Sequence, residues 1–218
     1  MLDDGLPVAA PARVVLVALV TRNGRLAMTL GPERPWQDAP GRRLAPLEAP
    51  STPGSGSAGQ DAALAAASDA LGLALEPATC AWIYGPSARH AMDRVPALAS
   101  DAPFLRYDRY ESSVEPDGTT LPPPSRVLVR AYLARASGVR APAHNGVVWL
   151  PPRALRAVVG GLWMAEFLAL DGVQVEEDSA LDRSGAEHTL VNTPAQAGER
   201  QLLRACAKYG EAILFPPE

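Results

Sequence analysis

Lysine is nearly missing from this chain: Lys208 is the only one, and every other basic side chain is arginine. With 22 prolines and abundant alanine, this bias reflects a GC-rich coding sequence more than a functional choice. An arginine therefore carries less functional meaning here than it would among many lysines. Cysteine is scarce as well. Cys80 and Cys206 lie far apart in apolar surroundings and match no metal-ligand spacing. They read as buried small hydrophobes rather than as a disulfide. His90, His144 and His188 are scattered without ligand spacing and read as loop or surface residues. No apolar run approaches the ~20 residues of a membrane-spanning helix. The segment Met1-Leu2-Asp3-Asp4 lacks the basic region of a signal peptide. A cytoplasmic protein with no membrane partner is expected. A net charge of −4 gives no general attraction to nucleic acid.

At 218 residues the chain suits one domain, or one domain with an appendage. Residues 13–20 are continuous, apolar and rich in β-branched side chains, which predicts a strand buried on both faces. Asn23-Gly24 then joins this strand to Leu26–Leu30 as a hairpin, because both central turn residues need positive φ. Gly31-Pro32 is expected to end the second strand. Residues 33–60, rich in Pro, Gly and Ser, read as a long loop interrupted by Leu44-Ala45-Pro46-Leu47. A helix over 61–71 follows, with Gly72 past its C-terminus. Strands are expected near Leu73–Leu75 and Cys80–Tyr84, an irregular stretch over 85–103, then strands over 104–114 and 126–136. Glu115-Pro116-Asp117-Gly118 is a turn sequence, and 121–124 a stiff connector. Val147–Leu150 is a short strand. Pro151-Pro152 opens a helix over 153–159, Gly160-Gly161 breaks it, and a second helix covers 162–170. Residues 171–193 are acidic and less regular. A last helix over 196–209 and an edge strand over 213–215 complete the expectation.

This order, with Val-Trp-Leu-Pro before a helix, resembles the Nudix superfamily. The family signature is G-x5-E-x7-R-E-U-x-E-E-x-G-U, where U is aliphatic. Anchored on Gly72-Leu73, it aligns without gaps. The first glycine falls on Ser51, after Pro50, and the loop glutamate on Ser57. The Arg-Glu pair falls on Ala65 and Ala66, the next aliphatic on Ala67, and the Glu-Glu pair on Asp69 and Ala70. The resemblance implies an α/β fold, a Nudix-like α/β/α sandwich around a mixed β-sheet. It covers residues 12–170, with 171–218 an extension packed on the same domain.

The resemblance also implies where chemistry has been lost. Positions 66, 69 and 70 lie one turn apart on one helix face. Three carboxylates there would cage Mg²⁺ beside a diphosphate and activate water. Alanine has no oxygen to offer, and only Asp69 keeps an acid. The expectation is a protein with a degenerate Nudix box, lacking normal Mg²⁺-dependent hydrolysis of nucleoside diphosphate derivatives. It would serve as a ligand-binding or protein-interaction module and need no cofactor, Mg²⁺ entering only with residual hydrolase activity. The alternative is a divergent pyrophosphohydrolase using relocated acids, with Asp69 and Glu166, or the cluster Glu176-Glu177-Asp178, as ligands or base. The bland reading of Glu166 is the polar face of an amphipathic helix, and that of the acidic run a solvated surface.

For a nucleotide-type small molecule, the candidate contacts are Trp36, Arg126 and Arg130. Arg126 and Arg130 share strand parity and so face one side of the sheet, where arginine grips phosphate bidentately. Arg106, Arg109 and Arg135 join this set more weakly, and Trp149 reads as core. The Gly-rich loop at 54–59 offers an anion site at the helix N-terminus, but it lacks the Gly-Lys-Ser/Thr ending of a nucleotide P-loop. A third reading gives the tail from Ala195 a docking or homodimerising role. Nucleic acid is not an expected partner.

Overall fold

Seven consecutive buried residues, Val14–Val20, form the heart of strand β1 (Arg13–Arg22). The computed structural model describes residues 13–36, 39–51, 58–85, 93–111, 125–139, 146–158, 161–176, 186–192, 203, 206 and 207. β1 turns through Asn23 (φ 49°) and Gly24 (φ 68°) into β2 (Arg25–Trp36), with Arg22 facing Arg25. This is the two-residue hairpin that the Asn-Gly pair predicts, since both residues adopt the left-handed backbone.

Gly31-Pro32 does not end β2. It sits at a register shift between Leu30 and Glu33, after which β2 continues against β3 (Ala39–Ala45). β4 (Leu47–Ser51) follows and pairs with β1. The expected loop over 33–60 therefore gives way to strands through Ser51. The prolines misled because Pro32 sits at the register shift, and Pro35 and Pro40 face each other where β2 and β3 have no further strand partner among the described residues. Leu44, Leu47 and Ala49 are the buried anchors of this region.

Helix α1 (Ala58–Leu71) leads through Gly72 (φ 65°) into β5 (Leu73–Ala78). β6 (Trp82–Gly85) pairs with β7 (Asp93–Pro96), so a strand interrupts the stretch expected to be irregular. β8 (Leu105–Glu111) and the long β9 (Ser125–Val139) run antiparallel. β10 (Gly146–Leu150) is wholly buried, and α2 (Pro152–Val158) opens on Pro152 as its sequence predicts. Where a second helix was expected over 162–170, Leu162–Trp163 instead forms β11 and the helix α3 spans Met164–Ala169. Leu162 is drawn into pairing with Val191. β12 (Gln174–Val175) and β13 (Leu190–Asn192) complete the described strands. The turn at 115–118, the connector at 121–124, the strand at 213–215 and most of the helix at 196–209 lie outside the described residues.

The sheet is mixed and dominates the fold. Its main path runs β11-β13-β3-β2-β1-β9-β8-β6-β7, and the central pair β1–β9 is parallel. Side chains of β1 alternate between two apolar clusters. Val15, Val17 and Leu19 join residues of α2 and α3, with Leu203, Cys206 and Ala207. Val14, Leu16, Ala18 and Val20 join Ala63, Leu64, Ala67 and Leu71 of α1. Helices thus pack on both faces of the central strands. Each fully buried leucine here stabilises the fold by about 1.5–3 kcal/mol.

Candidate functional site

The outer surface of α1 is mostly without oxygen ligands. Ala65 and Asp69 are exposed, whereas Ala66 and Ala70 are half-buried and pack against the apolar cluster beneath the helix. Ser68 is buried, and its hydroxyl donates to the Leu73 carbonyl at 2.6 Å, tying the helix end to β5. The residues present do not fit a Mg²⁺ ion at positions 66, 69 and 70, because Asp69 alone there cannot replace three converging carboxylates. Among the described residues, no three His, Cys, Asp or Glu side chains gather where they could hold a metal. Ser57 and the loop at 54–57 lie outside the described residues.

Asp69 and Glu166 are not brought together. They belong to α1 and α3, which pack on opposite faces of the sheet. Glu166 accepts a hydrogen bond from the Trp163 backbone N–H at 3.1 Å, capping the first turn of α3. Glu176 has a structural engagement too. It accepts from the Trp149 indole at 2.5 Å and from Arg22 at 2.6 Å, while the Arg22 guanidinium lies 4.1 Å from the Trp149 ring centroid. Trp149 is core, as its sequence context predicts. Glu177 and Asp178 lie outside the described residues. Trp36 belongs to β2, and its side chain likewise lies outside them.

Arg126 and Arg130 share one face of β9, the face that α1 covers further along. Their roles diverge there. Arg126 donates to Asp108 at 2.9 Å across to β8. Arg130 stands directly opposite Arg106, which sequence reasoning had ranked lower. The signal was available in part: both arginines lie in strands that the sequence predicts, but the register that sets them opposite each other is not legible in it.

These two arginines line a groove of about 720 Å³ with Tyr132, Asp101, Ile83 and Leu98. Its floor is fixed from the other side of the sheet, where Tyr84 and Phe104 pack with ring centroids 5.1 Å apart. Tyr84 N–H donates to Phe104 O at 2.8 Å, and Phe104 N–H to Ala131 O at 2.7 Å, anchoring β6 and the start of β8 to β9. A smaller groove of about 320 Å³ adjoins it, sharing Ile83 and Arg106 and reaching Asp108. Burial pushes the Tyr132 phenol up; Arg130 opposes this through its charge and a hydrogen bond to the phenol, and Asp101 adds to the rise.

Tyr132 also connects the groove to α1. A Cβ added to Gly59, in the first turn of the helix, would lie 2.6 Å from the Tyr132 hydroxyl. Next to it, Gln60 is buried and its Nε2 has no hydrogen-bond partner among the described residues. The N-terminus of α1 and the arginine groove are therefore neighbours that share one phenol.

No family model matches the chain, and no curated protein matches it. Among solved structures, the chain is similar to the solution structure of the E. coli ORF135 protein at 15% identity and a TM-score of 0.33, over 66% of this chain and 77% of that one. It is also similar to a NUDIX hydrolase from Nitrosomonas europaea at 10% identity and a TM-score of 0.34, over 66% of this chain and 76% of that one.

Proposed function

We propose that this chain is a Nudix-like binding module whose α1 helix no longer supports Mg²⁺-dependent hydrolysis. One observation carries the reading: Ala66 and Ala70, at positions where the Nudix signature places metal-binding acids, pack against the apolar cluster. That part of the helix has become a packing surface. The succession of hairpin, helix, strands and Val-Trp-Leu-Pro supports the scaffold, and Gly72-Leu73, with an acid at Asp69, is what remains of the signature. Helices on both faces of the central strands support an α/β/α sandwich as its finer architecture. The pairing of β12 with β10 and of β13 with β3 supports residues 171–218 as an extension packed on the domain 12–170.

A nucleotide-type ligand would use arginines on the sheet face rather than a metal, as arginine forks match phosphate oxygens. The test is a panel of nucleoside diphosphate derivatives incubated with Mg²⁺ and with Mn²⁺. No metal-dependent turnover is expected. Robust turnover abolished by Asp69→Ala would overturn the reading.

A further inference from the structure

Arg106 and Arg130 form a directly opposed cross-strand pair on one sheet face. Such pairs hold their Cβ atoms about 5 Å apart, and like charges there are destabilising. Arg126, on the same face, shows the usual remedy: it donates to Asp108 at 2.9 Å. Arg106 is exposed and makes no ion pair among the described residues, and Arg130 turns its guanidinium to a neutral phenol. Asp101 is the acid that lines the same groove. Among the described residues lining the groove, one carboxylate against two guanidinium groups leaves a positive excess.

The rest of the lining is apolar and unusually open to water. Leu98 is 97% exposed and Val95 56% exposed, and Val95 pairs with Ile83 on this same face. Two of the three large exposed hydrophobic side chains among the described residues thus flank one cationic pair. A space of about 720 Å³ falls within the range of small-molecule sites. Apolar walls with a few convergent polar groups are the composition such sites share.

From this juxtaposition we infer that the groove between β6–β7 and β8–β9 binds a small amphipathic dianion, a phosphate group carried on a flat apolar body. Arg106 and Arg130 clamp the phosphate oxygens from the two strands, relieving the repulsion between the guanidinium groups. The Tyr132 hydroxyl supplies a neutral hydrogen-bonding group beside them. Ile83, Val95 and Leu98 cover the apolar body. Binding needs no metal. This deepens the reading of the chain as a binding module and rests on it for the absence of turnover, but not for the geometry of the groove.

The probe is phenyl phosphate, titrated calorimetrically into metal-free protein, with inorganic phosphate and phenol in parallel. Phenyl phosphate is expected to bind saturably and at least about tenfold more tightly than either fragment. Arg106→Gln and Arg130→Gln should each weaken it about tenfold or more, as loss of a charged hydrogen-bond partner does. Arg106→Lys should fall between them and the parent, since it keeps the charge and loses the fork. Arg153→Gln, on α2 with its guanidinium paired to Asp171 in the turn after α3, should leave binding unchanged. Thermal unfolding of each variant confirms that the fold is intact. No saturable binding up to about 10 mM overturns the inference, as does binding that the Arg106 and Arg130 variants leave untouched. Metal-dependent turnover with groove binding intact would sink the reading of α1 alone. Absent groove binding without turnover would sink the groove alone.

Discussion

Cys206 behaves as one more hydrophobic side chain, and its proton shows why. The thiol is completely buried among apolar neighbours, and burial pushes it from 9.0 up to about 12. The folded chain therefore holds this proton more tightly than the unfolded chain does. The stability this group contributes is fully present below 9.0 and is lost as the pH climbs toward about 12. Urea unfolding across that window should show an alkaline loss of stability that Cys206→Ala flattens. At neutral pH Cys206 should resist a thiol reagent until the protein unfolds, because the thiolate is the reactive species. Cys80 is half-buried, its thiol raised by burial and directed to the Ala102 carbonyl at 3.4 Å. The expectation of two buried small hydrophobes holds for Cys206, whereas Cys80 is only half-buried; apolar neighbours are a local fact, and depth in the fold is not. Glu166 is a local matter as well, capping a backbone N–H three residues away. The fate of Glu176 was not local, since the fold brings Trp149 and Arg22 to it.

Helix α1 is the element whose identity was most legible, and its surroundings were the least. An alanine-rich run ending at Gly72 predicts a helix and its stop. It cannot predict that Ala66 and Ala70 would be pressed into the core edge, or that Gly59 would lie against Tyr132 from a strand some 70 residues later. Gly59 is required by that close approach. Gly59→Ala should force the helix start and Tyr132 apart, at a cost of about 1–3 kcal/mol, the usual range for an overpacked site. Urea denaturation measures this cost. Phenyl phosphate affinity should fall with it, because Tyr132 lines the groove. An unchanged midpoint would show that the phenol swings aside freely. The strands within 33–51 were illegible for a different reason. Their prolines and glycines are the residues of loops, and only the spacing of Leu44, Leu47 and Ala49 hints at buried strands.

Across the whole molecule, the sheet divides its labour along β9. Its C-terminal half holds β5, which follows α1, and its N-terminal half holds β8, which carries Arg106. The groove end closes on β7, a four-residue edge strand bearing Arg94 and Pro96. A short edge with charge and proline discourages pairing with another chain. Apolar runs rich in β-branched residues made the central strands readable. Beyond the β1–β2 hairpin the pairing partners were not readable, because register depends on connections that carry little pattern.

The parallel pair β1–β9 also sets a timetable. Thr21 donates its hydroxyl to Ala134, 113 residues further along the chain. During synthesis β1 emerges early, with its run of apolar residues complete and its central partner unmade. At about 5–20 residues per second, it waits roughly ten seconds for β9. In that interval the hairpin with β2 and the pairing with β4 are its available protection. Nascent chains ending before Ser125 should therefore be cleaved readily by a protease, and chains extended past Val139, with enough further length to clear the ribosome, should gain resistance. Pulse proteolysis of stalled chains reads the difference. A strand with seven consecutive buried residues in the finished protein is thus open to misassociation while it is being made, and a cell producing this chain must shield β1 until β9 arrives.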